Sequence, residues 1–145
     1  MFMVNPGLDL SAATVSLTTD AALSVVTNTL DAIDHAARSR LTSTDRLALV
    51  TQARHAARRL EALVVTLVSE ADATAASTAA QGTSTTSWLA LEGGTSSKEA
   101  AGLVFAAADT TRYEAVRDAA LAGQVGVGQA RAIAAGMGEL PRDVV

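Results

Sequence analysis

Between Pro6 and Pro141 no proline interrupts the chain, and from Thr44 to about Ala76 there is no glycine either. Proline removes a backbone donor and clashes with the preceding helical turn, so its absence leaves a long middle stretch free to run as helix. Apolar residues make up 49% of the chain, mostly Ala, Leu and Val, while Trp88, Tyr113, Phe2 and Phe105 are the only aromatics. That mixture suits closely packed helices better than strands. The expectation is an all-α fold in a chain of 145 residues, the size of one domain and long enough to bury a core.

The periodicity gives an order of elements. Residues 1–18 have no clear period and read as a poorly ordered lead-in. A helix is predicted over 19–38, where Leu23, Val26, Leu30, Ile33 and Ala37 form one apolar stripe. Asp20 near its start and Arg38 and Arg40 near its end suit the helix dipole. Thr44 can cap a second helix running to about residue 76. Leu47, Val50, Ala53 or Arg54, Ala57, Leu60, Val64, Leu67 and Ala71 keep near-heptad spacing along it. Such a helix is roughly 45–50 Å long, more than a domain of this size needs. It either folds back on the first helix as a long hairpin over 19–76 or meets a second copy of the chain, with Leu60, Val64 and Leu67 in the interface.

Residues 77–86 are polar, contain Gly82 and read as a linker to a short-helix subdomain over 87–140, followed by a tail at 141–145. Short helices are expected at about 86–91, stopped by Gly93-Gly94, and from a Ser96-Ser97-Lys98-Glu99 capping box to about Ala108. Two more are expected, from a second box at Thr111 to Gly123 and from about Val127 to Gly136. Gly94-x-Ser96-x-x-x-Ala100 after Trp88-Leu89 has helix-turn-helix grammar: a turn glycine, a cap and a small residue where helices cross. The helix that would read bases offers Ser97, Lys98, Ala101, Gly102, Phe105, Ala106 and Asp109, which are mostly short, apolar or acidic. Base edges need long donors, so this helix reads better as packing.

Several chemistries find no residues to carry them. There is no cysteine, which excludes disulfides and thiolate metal sites. His35 and His55 are the only histidines, each followed by Ala-Ala-Arg on a predicted helix, and no further His or Cys completes a zinc site. No catalytic residue, metal ligand, cofactor or small-molecule substrate is assigned. Gly123-Gln124-Val125-Gly126-Val127-Gly128 lacks the Walker lysine and a preceding apolar strand, so it reads as a helix–helix turn. Without a readable signal segment or an apolar run long enough to span a bilayer, the expected location is cytoplasmic.

Charge is unevenly spread. The net charge is −4, which argues against a protein devoted to coating nucleic acid. Residues 1–37 carry only acids, Asp9, Asp20, Asp31 and Asp34. Residues 38–59 carry Arg38, Arg40, Arg46, Arg54, Arg58 and Arg59 against Asp45 alone. This basic band is either a surface for an anionic partner or a set of cations paired with acids elsewhere in the fold.

From about Leu41 to Pro141 the chain resembles the actinobacterial domain-of-unknown-function 222 family, also called the 13E12 repeat family. The resemblance rests on Ser87-Trp88-Leu89-Ala90, Gly94-x-Ser96 with Glu99-Ala100, and Ala119-Ala120-Leu121-Ala122-Gly123-Gln124-Val125. It continues through Gln129-Ala130-Arg131-Ala132-Ile133 and Leu140-Pro141, and the long helix with Arg54, Arg58, Arg59 and Glu70 looks like the family's opening segment. The Ala-Leu-Ala-Gly…Gln-Ala-Arg portion is also similar to a segment of ParB-type partition proteins. Such domains commonly precede an HNH endonuclease module in actinobacteria and their phages. The resemblance therefore implies a non-catalytic accessory domain of a nuclease-associated protein. The family's domain usually continues beyond such a Leu-Pro, so a shortened form is implied. No histidine follows His55 to supply the nuclease motif. The helix after Ser96, often Arg-rich in the family, holds only Lys98. Taken with the basic band, the expected function is DNA contact through Arg54, Arg58, Lys98 and Arg131; the alternative is a homodimerising or scaffold domain without a nucleic-acid role.

Overall fold

The computed structural model describes residues 16–139, so most of the expected lead-in and the tail at 141–145 lie outside the described residues. The described residues form helices joined by turns, without a strand, as composition and the absence of proline predict. The chain divides into two compact units, Met1–Thr42 and Ser43–Val145.

In the first unit, α1 spans Thr19–Asp31 and is capped by Thr18, whose hydroxyl accepts from the Ala21 N–H at 3.2 Å. The single helix expected over 19–38 is interrupted. It stops where the Ala32 N–H bonds to the carbonyls of Asn28 and Thr29, both at 3.2 Å. Asp34 then opens a separate 3-10 helix, His35–Arg40, by accepting from the Ala36 N–H at 3.1 Å. Asn28, Thr29, Asp31 and Asp34 bring side chains that compete for backbone groups, and a carboxylate cap inside an otherwise periodic run restarts the helix rather than extending it. His35 is hydrogen-bonded through its ring to Arg38 within that turn. No described residue of this unit is buried.

The second unit begins with α2, Ser43–Ala73, 31 residues and about 46 Å long. It ends because Ala75 takes a left-handed conformation, φ 51°, and the chain turns back into α3, Ala76–Gln81. The segment expected to be a polar linker thus carries a helix. Ala76, Ala79 and Ala80 supply helix propensity, and the buried Ser77 meets Thr85 hydroxyl to hydroxyl at 3.4 Å. A break at 77–86 does not separate two units here, because the division falls before Ser43.

α4 spans Thr85–Glu92, capped by Ser84, whose hydroxyl accepts from the Ser87 N–H at 3.2 Å. α5 spans Ser97–Thr111, and Ser96 caps it as predicted, accepting from the Glu99 N–H at 3.1 Å. The second predicted box is not one. Thr111 is the last residue of α5, and its hydroxyl donates to the Ala107 carbonyl at 2.7 Å and bonds Ser69 of α2 at 2.8 Å. α6, Glu114–Leu121, follows Tyr113 without a side-chain cap. Arg112 lies over the Tyr113 ring, 5.3 Å from its centroid. α7 spans Val127–Gly138.

The second half of α2 is the axis of this unit, packed against α5 and α6, with α4 and α7 closing the bundle. Val65, Val68, Ala106, Ala107 and Val127 form one buried cluster, flanked by Leu89, Leu103 and Val104. Ala62, Val116, Ala120 and Ala130 form the other, flanked by Tyr113, Leu121, Val125 and Met137. The first half of α2 contributes no buried residue.

Candidate anion-binding groove

The turn between α6 and α7 sets the geometry. Gly123 ends α6 at φ 79°, the Gly123 N–H bonds the Ala120 carbonyl, and the Gln124 N–H bonds the Ala119 carbonyl, each at 3.0 Å. This is the glycine-terminated helix end with a 5→2 and a 6→1 hydrogen bond. The turn is seated on α2 by Arg59, whose Nε donates to the Leu121 carbonyl at 3.1 Å. A cation at a helix C-terminus also suits the dipole of α6. Gly123 is buried against His55. Arg59 and His55 thus act in packing around the turn.

Seating the turn in this way brings the N-terminus of α7 beside the exposed half of α2. Between them lies an open groove of about 320 Å³, lined by Arg54, Ala57, Arg58, Glu61, Gly126, Val127 and Gly128. Arg54 and Arg58 are one helical turn apart, exposed, and without an ion-pair or hydrogen-bond partner among the described residues. On the opposite wall, the Gly126 N–H is taken by Gln129 Oε1 at 3.0 Å, which fixes the start of α7. Gly128 is exposed with open space where a side chain would stand, so a ligand atom can approach that backbone closely. The first-turn amides of a helix have no intrahelical acceptor and carry the positive end of the dipole. Glu61 is the one acid in the wall and opposes an anion there.

The four cations singled out from the sequence do not converge. Arg54 and Arg58 share the groove, whereas Lys98 stands exposed in the first turn of α5 and Arg131 on α7; neither lines it. Arg131 is held by Asp109 of α5, with Nε–Oδ2 and Nη2–Oδ2 both 3.1 Å. Of the apolar residues singled out on α2, Leu60 and Val64 are each 39% exposed and Leu67 is half-buried. Sequence reasoning missed the contribution of residues 126–128. The glycine spacing marked a turn, but nothing local indicates that the helix after it starts next to Arg54 and Arg58. No group of three or more His, Cys, Asp or Glu side chains that could hold a metal occurs among the described residues, and no described helix is long and apolar enough to cross a membrane. No family model, curated protein or solved structure matches the chain.

Proposed function

We propose that this chain is a non-catalytic helical accessory domain that engages the phosphate backbone of DNA, in a nuclease-associated protein of the kind the 13E12 resemblance implies. The observation that carries it is the pair of unpartnered guanidinium groups, Arg54 and Arg58, facing the start of α7 across an open groove. Arginine binds phosphate oxygens bidentately, and helix N-terminal amides add donors without adding side chains. Contact of this type fixes position on a duplex and carries no sequence information. The helix-turn-helix grammar of α4, Gly94 and α5 belongs to the same proposal as a supporting scaffold. Arg131 is engaged by Asp109, which leaves Lys98 as the cation of that region available to a phosphate. A cytoplasmic setting follows from the partner.

With two arginines on one side and Glu61 opposing, binding is expected to be weak, independent of sequence and sharply salt-dependent. The test is fluorescence anisotropy of a labelled duplex titrated with the full chain at low and near-physiological salt. Affinity that falls with salt and drops on replacing Arg54 and Arg58 with Ala supports the proposal. Absence of binding at low salt, or binding indifferent to both substitutions, overturns it.

A further inference from the structure

α2 has two apolar faces; the bundle buries one and only partly covers the end of the other, at Leu67 and Ala71. Ala62 and Val65, each 1% exposed, face the core. The second face runs Val50, Ala53, Ala57, Leu60, Val64, Leu67 and Ala71, with steps that alternate three and four residues. At about 100° per residue this row is rotated away from Ala62 and Val65, with the buried Val68 on the flank between the two faces. Val50 is 55% exposed, Leu60 and Val64 39% each. A row with that spacing is the seam along which one α-helix packs on another.

We propose that this seam is the dimer interface of the protein, where α2 of a second copy lies antiparallel with Ala57 of one protomer opposite Leu60 of the other. Two features of the sequence choose this occupant and this direction; neither depends on DNA binding, and because Arg54, Ala57 and Glu61 also line the groove, a second copy and a duplex would compete for that surface. The first is volume. Antiparallel pairing in that register sets Ala57 against Leu60, Ala53 against Val64 and Val50 against Leu67, so each alanine meets a larger residue. A parallel pair would face Ala53 with Ala53 and Ala57 with Ala57, leaving voids.

The second is charge. Arg54 and Glu61 flank the seam on the same side, one heptad apart. Antiparallel packing brings like-named flanking positions together, so Arg54 of each protomer comes beside Glu61 of the other, and the pair occurs twice across the twofold axis. A parallel pair would set Arg54 beside Leu49 and Glu61 beside Ala56, with no partner for either charge. The other flank brings Ala56 beside Leu63 and Leu49 beside Glu70, with no like-charge contact.

The full chain is examined by sedimentation velocity over a wide concentration range, with circular dichroism to show that each variant is folded. The expected mass at high concentration is about twice 14.7 kDa. Arg54→Glu alone and Glu61→Arg alone each raise the dissociation constant by about tenfold, since each turns two attractive pairs into repulsive ones. Arg54→Glu with Glu61→Arg restores the dimer. Leu60→Lys abolishes it while leaving helicity unchanged. A monomer at every concentration overturns the proposal and leaves the seam to another element of the same chain, as in the hairpin predicted from sequence. A dimer that the double exchange fails to restore overturns it as well.

Discussion

The imidazole of His55 occupies the space that a side chain at residue 123 would need: a Cβ on Gly123 falls 2.5 Å from His55 Cε1 and 3.0 Å from Arg59 Cγ. Two requirements meet at one residue, because Gly123 is also at φ 79°. Gly123→Ala is therefore expected to destabilise the fold by about 3 kcal/mol, roughly 1 from the left-handed backbone and the rest from the collision. Adding His55→Ala removes the nearest obstacle and should recover part of the loss, so the two substitutions are non-additive. Urea unfolding of the two single variants and the double variant measures the coupling. Additive effects would mean that the ring and the turn are independent.

Thr110 is wholly buried, and its hydroxyl has no hydrogen-bond partner. Burying a hydroxyl without a partner is unfavourable, and valine has the same shape without the polar atom. Thr110→Val should stabilise the chain by about 1 kcal/mol, whereas Thr110→Ser, which keeps the hydroxyl and loses the methyl, should destabilise it by about 1 kcal/mol. Thermal melts of both variants check the sign.

Ser96 holds the first turn of α5 through the Glu99 N–H. Ser96→Ala leaves that donor to water and is expected to cost about 1 kcal/mol, a fall in Tm of about 5 °C. Ser96→Asp should retain most of the stability, because a carboxylate also accepts and suits the helix N-terminus.

Arg58 and Arg131 are both exposed, but Arg131 is already engaged by Asp109. Under the DNA-binding proposal, Arg58→Ala weakens duplex binding at low salt and makes the plot of log affinity against log salt shallower by about 1. Arg131→Ala changes neither. Equal effects of the two substitutions would show that the groove is not where phosphate binds.

The helical class and most element positions were legible because they depend on local signals. Ser96 and the Gly93-Gly94 stop lie at the ends of α5 and α4 that they were expected to mark. Thr111 shows the limit: Thr-x-x-Glu looks like a cap in sequence, yet its hydroxyl turned inward once Ser69 was within reach across α2 and α5. The break after Asp31 was hidden because the apolar stripe of residues 23–37 continues in register through it. Heptad spacing on α2 was visible, but which side would be buried was not. Ala62 does not look like a core residue beside Leu60 and Leu67, and it is buried only because α6 and α7 pack Val116, Ala120 and Ala130 against it. In the groove, the pairing of Arg54 with Arg58 follows from helical spacing alone, whereas the approach of Gly126–Gly128 depends on how α6 turns over Arg59.

Among the described residues of the second unit, the buried apolar ones are seven alanines and four valines, with no leucine, isoleucine or phenylalanine. Truncation, the usual way to damage an interior, has little to remove there. Enlargement is the damaging direction: one methylene added at Ala107, Ala120 or Ala130, each fully buried, would push whole elements apart. Variation in such a protein is expected to be asymmetric, with the interior intolerant of gained volume and the exposed leucines outside the α2 seam, though chemically more hydrophobic, comparatively free to change.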